Sequence, residues 1–135
     1  MIIKKFEEPV FNGRVLFLTD CTAEQANKYL EKKNIFANDD DPKDKFDEFS
    51  DGGIRSYVED LGNKEAGVSW VVHIEDKNDI RAYIHECIHI VNGIFEDRQI
   101  QFVSGNDELI AYYMDYWFEQ LWYHVHPKKR GKIGI

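Results

Sequence analysis

The sequence predicts an α+β domain, in which a small sheet of three or four strands, antiparallel or mixed, packs against two or three helices. Three short runs have the composition of strands: 14–18, 54–59 and 68–75. Two later stretches, 80–95 and 107–124, repeat apolar residues every three to four positions, which is typical of amphipathic helices. A chain of 135 residues suits one core, so we assign residues 1–135 to one domain.

The first half of the chain supplies a strand, a helix and a loop. The strand at Arg14–Leu18 precedes Thr22-Ala23-Glu24-Gln25, which has the form of a capping box and predicts a helix to about Lys33. Asn38–Asp51 is polar and acidic, and its spacing does not fit an EF-hand. We expect a solvated loop there, with Phe46 and Phe49 as residues that can hold it against the domain, as a lid.

A hairpin is the simplest pairing for the strands at Ile54–Glu59 and Val68–Glu75. In the second strand, Trp70 and Val72 alternate with polar positions, which predicts one core face and one wetter face. His73 falls on the wetter face, and we interpret it as an ordinary surface histidine.

A helix is predicted directly after this hairpin. Asn78 and Asp79 are favourable N-cap residues. The core face of this helix is formed by apolar residues at helical spacing: Ile80, Tyr83, Ile84, Cys87, Ile88, Val91, Ile94 and Phe95. The opposite, narrower side carries His85, His89, Asn92 and Glu96.

Within this helix, residues 85–89 read His-Glu-Cys-Ile-His. Histidines four apart on a helix lie about 40° apart around the axis and about 6 Å apart along it, so His85 and His89 can bind one Zn²⁺. Glu86 would lie beside the metal, where its carboxylate can take a proton from a water molecule. The alternative interpretation is two surface histidines on an amphipathic helix.

A catalytic zinc ion usually has three protein ligands. Glu108 follows His89 by 19 residues, at the start of a second predicted helix, and is our candidate for the third ligand. Glu108 shares one stripe of that helix with Tyr112, Asp115 and Glu119. An ordinary solvated face is the alternative explanation for this stripe.

His85-Glu86-x-x-His89 followed by Glu108 resembles the gluzincins, zinc metallopeptidases with a glutamate third ligand. The chain is most similar to the small metallopeptidase-like proteins that phages and prophages encode. The resemblance implies a zincin-like domain, with a short sheet packed on the motif helix and on the glutamate-bearing helix. It also implies zinc on the two histidines and Glu108, with Glu86 as general base. Some gluzincins carry an aspartate where this chain has Tyr112, so Asp115 is our candidate to orient a zinc-binding histidine.

These residues predict a zinc metallopeptidase with a peptide or protein substrate. Tyr112 is our first candidate for a donor to the developing oxyanion, ahead of Tyr116 and His124. The Ile54–Glu75 hairpin is the candidate edge for holding a substrate backbone. An alternative function is a binding or regulatory module with structural zinc or no metal, because little chain remains for substrate pockets. A third is an acidic decoy for basic proteins.

Composition excludes several other classes of protein. The net charge of −8 argues against nonspecific nucleic-acid binding, and no apolar run is long enough to span a membrane. The first residues lack the apolar region of a secretory signal.

Two cysteines form no disulfide framework, and Cys87 is predicted to be a buried core thiol. We therefore expect a cytoplasmic protein, in the host if phage-encoded. Residues 127–135 form a basic tail.

Overall fold

The computed structural model describes residues 1–33, 35, 46, 52–56, 69–101 and 103–128. This part of the chain forms four strands and three α-helices: β1 (Ile2–Glu8), β2 (Gly13–Thr19), α1 (Ala23–Lys32), β3 (Gly52–Ser56), β4 (Ser69–Ile74), α2 (Ile80–Asp97) and α3 (Asp107–Val125). A 3₁₀ turn, Ser104–Asn106, leads into α3. The prediction of an α+β fold with a small mixed sheet is confirmed.

The strands form one sheet in the order β1-β2-β4-β3. The two central strands, β2 and β4, are parallel, and Phe17 lies opposite Val72. Each edge strand is antiparallel to its neighbour, so the predicted hairpin pairing of β3 with β4 is confirmed. The sheet therefore presents β3 as one of its edges, on the side nearest α2.

Helices cover both faces of this sheet. Leu16, Leu18 and Val71 pack with Ala23 and Ala26 of α1 on one face. On the other face, a larger cluster joins β2 and β4 to the last two helices: Val15, Phe17, Val72, Ile74, Tyr83, Cys87, Ile90, Val91, Ile94, Phe95, Tyr113, Trp117 and Leu121. The predicted wetter face of β4 is therefore wrong, because α1 and Phe46 cover it.

The predicted start signals of two helices are confirmed. Thr22 caps α1 and exchanges the two hydrogen bonds of a capping box with Gln25. Asp79 caps α2 and accepts from the Ala82 amide at 3.4 Å. Strand β1 was not predicted. The acidic loop, apart from Phe46, the predicted continuation of β3 to residue 59, and tail residues 129–135 lie outside the described residues.

Helices α2 and α3 pack as an antiparallel pair. The rings of Tyr83 and Trp122 lie 4.9 Å apart at one end, and those of Phe95 and Tyr113 lie 5.6 Å apart toward the other. Helix α2 ends in a Schellman motif, in which the Ile100 amide donates to the Phe95 carbonyl at 2.8 Å and the Gln99 amide to that of Glu96 at 3.1 Å. Gln99 supplies the left-handed residue, with φ of 58°. This turn fixes how far α2 extends beyond its histidines.

Candidate functional site

The solvent side of α2 carries the two motif histidines. His85 and His89 are both exposed, whereas Tyr83, Cys87 and Ile90 on the opposite side are buried in the core. This separation follows from the helical period, because residues four apart share a face and residues two apart do not. The histidines are therefore held by a rigid helix and carry little of its packing.

The imidazoles of His85 and His89 lie close enough to share a metal ion. Their Nε2 atoms are 3.2 Å apart and their ring centroids 4.8 Å. Two nitrogens on one tetrahedral Zn²⁺ lie about 3.3 Å apart when each Zn–N bond is near 2.0–2.1 Å. The pair therefore fits two ligand positions of a zinc ion, although the same distance also suits an N–H···N hydrogen bond between neutral rings.

Glu86 lies at the base of the histidine pair. Its side chain is 6% exposed, and its Oε1 lies 3.8 Å from Nε2 of His85. Glu86 shares the flank of α2 that carries Gly93, where a Cβ atom would meet the Trp70 ring at 2.5 Å. The close packing of strand β4 against this flank leaves the carboxylate buried beside the imidazole. The structure thus brings together three of the predicted site residues.

Cys87, the neighbour of Glu86 in the motif, points into the core. It is a free, buried thiol, as predicted. Burial, and secondarily the charge of Glu86, raises the pKa of Cys87 to about 12. Because the thiolate is the reactive form of cysteine, this residue is not a nucleophile near neutral pH.

Glu108 is not brought to the histidines. It is exposed in the first turn of α3, beyond the level at which Phe95 meets Tyr113, whereas His89 lies on the other side of that level. With a rise of 1.5 Å per residue, the two residues are roughly 16 Å apart along the helix axes. Within the described ranges, no three His, Cys, Asp or Glu residues form a group that can hold a metal ion. This arrangement does not support the predicted role of Glu108.

Tyr112 and Asp115 are exposed side chains of α3. Tyr112 is 70% exposed and lies beside the turn between β1 and β2, where it lines a pocket with Val10. Asp115 is exposed on α3, and among the contacts of the described chain it makes no hydrogen bond with either histidine. No contact among the described residues supports Tyr112 as donor to an oxyanion or Asp115 as partner of a zinc histidine, so both roles stay predictions.

His73 is fully buried, so its interpretation as a surface histidine is wrong. Its Nε2 lies 2.8 Å from the Cys21 carbonyl oxygen, and its ring lies 5.2 Å from that of Phe46. A carbonyl only accepts, so Nε2 carries the proton and donates it. Desolvation by burial is the main cause that lowers the pKa of His73. The residue is a neutral structural histidine beneath α1.

One buried polar group, Glu8, was missed by sequence reasoning. Glu8 is 3% exposed, and its Oε2 accepts a hydrogen bond of 2.7 Å from the Tyr113 hydroxyl. The charge lies at the end of β1, and its partner lies 105 residues away. The alternation of Phe6 and Glu8 along one strand face is the only sequence signal for this pair, and it is weak.

Comparisons with protein-family models, with curated proteins and with solved structures find no match. In the described part, no helix is both long and apolar enough to cross a bilayer. The likeness to gluzincins therefore stays a prediction from the motif His85-Glu86-x-x-His89.

Proposed function

We propose that this protein is a zinc-dependent hydrolase, with cleavage of peptide bonds as its reaction. The observation that carries the proposal is the geometry of the His85–His89 pair, whose Nε2 atoms are 3.2 Å apart on an exposed helix face with the Glu86 carboxylate beside them. Imidazole nitrogen is a preferred zinc donor, and a glutamate adjacent to such a pair is the usual general base of zinc peptidases.

His85 and His89 would hold the metal through their Nε2 atoms. Bound zinc supplies Lewis-acid polarisation of a water molecule and of a substrate carbonyl. A catalytic zinc ion usually has a third protein ligand, and Glu108 does not occupy that position in this arrangement of α2 and α3. Mn²⁺, Co²⁺ or Ni²⁺ can occupy histidine sites of this kind as well.

Glu86 would move the proton. Its carboxylate can accept a proton from the attacking water and pass it to the leaving amine nitrogen, which general acid–base catalysis requires. Burial limits the rotamers of Glu86 and excludes bulk water from one side of the group, so its orientation toward the His85 nitrogen is held by packing.

Strand β3 is the element best placed to hold a polypeptide substrate. Among the described strands it forms an edge of the sheet, it packs on the same side as α2, and its Ile54 contacts the core below that helix. An extended peptide can add to such an edge through backbone hydrogen bonds. A peptide or protein is therefore the substrate class we propose.

A substitution at Glu86 tests this mechanism. We expect Glu86→Gln to bind zinc as the wild type does and to cleave peptides at least about 100-fold more slowly, since it keeps the shape but loses the base. The measurement is mass spectrometry of a peptide mixture incubated with zinc-loaded protein. Glu119→Gln is the matched control, because Glu119 is an exposed carboxylate on α3. Wild-type cleavage rates in Glu86→Gln would contradict the mechanism.

One observation favours a second candidate function, a binding module with structural zinc. A structural zinc ion usually takes four protein ligands, and among the described residues only His85 and His89 are spaced as two ligands of one ion, with no third member in a metal-holding group. A second chain can complete such a site. Ile84 and Ile88 were predicted on the core face, but that prediction is wrong: they are 48% and 42% exposed beside the histidines and can pack against that chain.

Light scattering after gel filtration, with and without one zinc ion per chain, distinguishes the two candidates. A module of this kind becomes larger when zinc is added, and His89→Ala prevents the change. A hydrolase keeps the same mass in both conditions. Ile88→Ala is a useful further variant, because it weakens packing between chains and leaves both histidine ligands intact.

A further inference from the structure

A pocket lies between the β1–β2 turn and the first half of α3, at the end of α3 remote from the histidines. Its volume is about 280 Å³, close to the lower end of small-molecule sites. Rings and alkyl groups form nearly all of its wall, and the residues used below are Glu8, Val10, Leu109, Tyr112, Tyr113 and Tyr116. Three tyrosines in so small a site make it strongly aromatic.

The Tyr113 ring is held firmly in this wall. It stacks on Phe95 at 5.6 Å with an interplanar angle of 11°, and on Tyr116 at 6.2 Å with an angle of 7°. Phe11 meets its edge at 5.0 Å. Tyr112, in contrast, is 70% exposed at the rim of the pocket. A ligand would therefore meet one fixed ring and one ring that can adjust.

A negative charge lies directly behind these rings. The Glu8 carboxylate is 3% exposed. Its Oε2 accepts from the Phe11 amide at 2.9 Å and from the Tyr113 hydroxyl at 2.7 Å. Its Oε1 accepts from the Val10 amide, and from the Phe11 amide at 3.2 Å. Among the residues that the structure describes, no lysine, arginine or histidine forms an ion pair with this carboxylate.

We propose that this pocket binds a quaternary ammonium group. Aromatic rings attract cations through the negative charge of their faces, three tyrosines line this pocket, and the buried charge of Glu8 adds attraction that no ion pair in the described chain neutralises. The net charge of −8 favours the approach of a cation over that of an anion. A neutral apolar ligand would gain the contacts but not the electrostatic attraction.

The hydrogen bonds of Glu8 explain why the ammonium group is quaternary. A carboxylate has about four lone-pair positions, and three donors already bind this one: the Val10 amide, the Phe11 amide, which is shared between the two oxygens, and the Tyr113 hydroxyl. A primary ammonium entering the pocket would lose water from its N–H groups, and the Glu8 carboxylate, already engaged by these donors, compensates for that loss poorly. A trimethylammonium head has no N–H group, so it enters without that cost.

The charge of Glu8 contributes to raised pKa values of the neighbouring tyrosines. Burial first, and then the charge of Glu8, raises the pKa of Tyr116. Burial and the hydrogen bond to Glu8 raise that of Tyr113. Both rings therefore stay neutral and keep their hydroxyl protons at physiological pH. Arg98 donates from its Nε to the Phe11 carbonyl at 3.0 Å, and it forms no ion pair with Glu8.

Titration with choline tests the proposal. Proton–nitrogen correlation spectra of the full chain are recorded with choline, with ethanolamine and with 3,3-dimethylbutan-1-ol, the neutral carbon isostere of choline, each up to 50 mM at constant ionic strength. We expect choline to shift the amide signals of Val10, Leu109 and Tyr112, and to bind at least fivefold more tightly than either analogue. Absence of such shifts, or equal binding of the neutral isostere, would overturn the proposal.

Substitution at the exposed rim gives an independent test in a folded protein. Tyr112→Leu keeps an apolar side chain but removes a ring, and we expect it to weaken choline binding at least threefold. Tyr123→Leu is the matched control, since Tyr123 is another exposed tyrosine of α3 and does not line the pocket. Equal affinity in Tyr112→Leu and the control would contradict a role for the rings.

The source of the ammonium group is distinguished by a further probe. A short peptide with a trimethylated lysine is compared with choline: tighter binding of the peptide indicates a modified polypeptide, and equal binding indicates a small molecule. Both results support binding of a quaternary ammonium group in this pocket. The titrations are repeated on His85→Ala/His89→Ala, which we expect to bind choline unchanged, so the outcome does not depend on the proposed zinc site.

Discussion

The two faces of α2 differ in burial: one packs in the core and the other is exposed to solvent. The inner face is packed against the sheet and α3, with Tyr83, Ile90 and Ile94 at 0% exposure. The outer face carries His85 and His89, which are both exposed and contact each other. One 18-residue helix therefore combines a face that stabilises the fold with a face available for chemistry.

The residues of α2 that stabilise the fold are therefore different from the histidines proposed to bind metal. Substitutions on the inner face should unfold the protein without informing on chemistry. Substitutions on the outer face should remove the proposed metal chemistry and leave the fold intact. Glu86 is the exception, because it belongs to the motif and is nevertheless buried.

The largest expected effect is on the inner face. We expect Ile90→Ala to lower the free energy of unfolding by about 2–5 kcal/mol, because it removes buried methyl groups and leaves a cavity. Ile88→Ala, on the exposed side two residues earlier, should change it by no more than about 0.5 kcal/mol. Chemical denaturation of both variants measures the difference. Similar losses in the two variants would contradict the orientation of α2.

A smaller effect is expected from the buried histidine, His73, which contrasts with the exposed pair. Its folded-state pKa is lowered, mainly by burial, so the unfolded chain binds its proton at higher pH. The stability it contributes is complete above its ordinary pKa of about 6.5 and falls as the pH decreases below it, by up to about 1.4 kcal/mol per pH unit.

Unfolding measured from pH 7.5 to pH 5 tests this expectation. His73→Gln can still donate a hydrogen bond to the Cys21 carbonyl but does not titrate, so it should lose that part of the pH dependence. If wild type and His73→Gln show the same slope with pH, the neutral buried state of His73 is refuted.

The smallest effect is expected for the metal-free double variant His85→Ala/His89→Ala. Its free energy of unfolding should rise by about 0.5–1 kcal/mol, because alanine is the better helix former and the exposed imidazoles pack on little. Thermal or chemical denaturation in the presence of a chelator measures it. A loss of more than about 2 kcal/mol would mean that the pair supports the fold and is not free for metal binding.

Local signals in the sequence predicted where α1 and α2 begin and which residues of α2 share a face. The capping box at Thr22, the N-cap at Asp79 and the helical spacing of His85 and His89 each depend on neighbouring residues, and each is found in the structure. The α+β class followed from the same local patterns.

The features that the sequence did not predict depend on contacts between distant parts of the chain. A spacing of 19 residues between His89 and Glu108 does not reveal where α2 ends, and its end is set by a left-handed Gln99 where glycine is the expected signal. Burial of His73 depends on α1 covering the second sheet face, and the Glu8–Tyr113 hydrogen bond joins residues 105 positions apart. Neither can be read from residues nearby in sequence.

Zinc uptake by metal-free protein is the most direct test of the His85–His89 site. Elemental analysis after dialysis against zinc should find about one zinc ion per chain in the wild type, none in His85→Ala/His89→Ala, and an unchanged amount in Glu108→Gln, because Glu108 lies far from the pair. No zinc in the wild type, or full uptake by the double variant, would contradict a metal site on these histidines. Loss of zinc in Glu108→Gln would contradict the packing of α2 against α3.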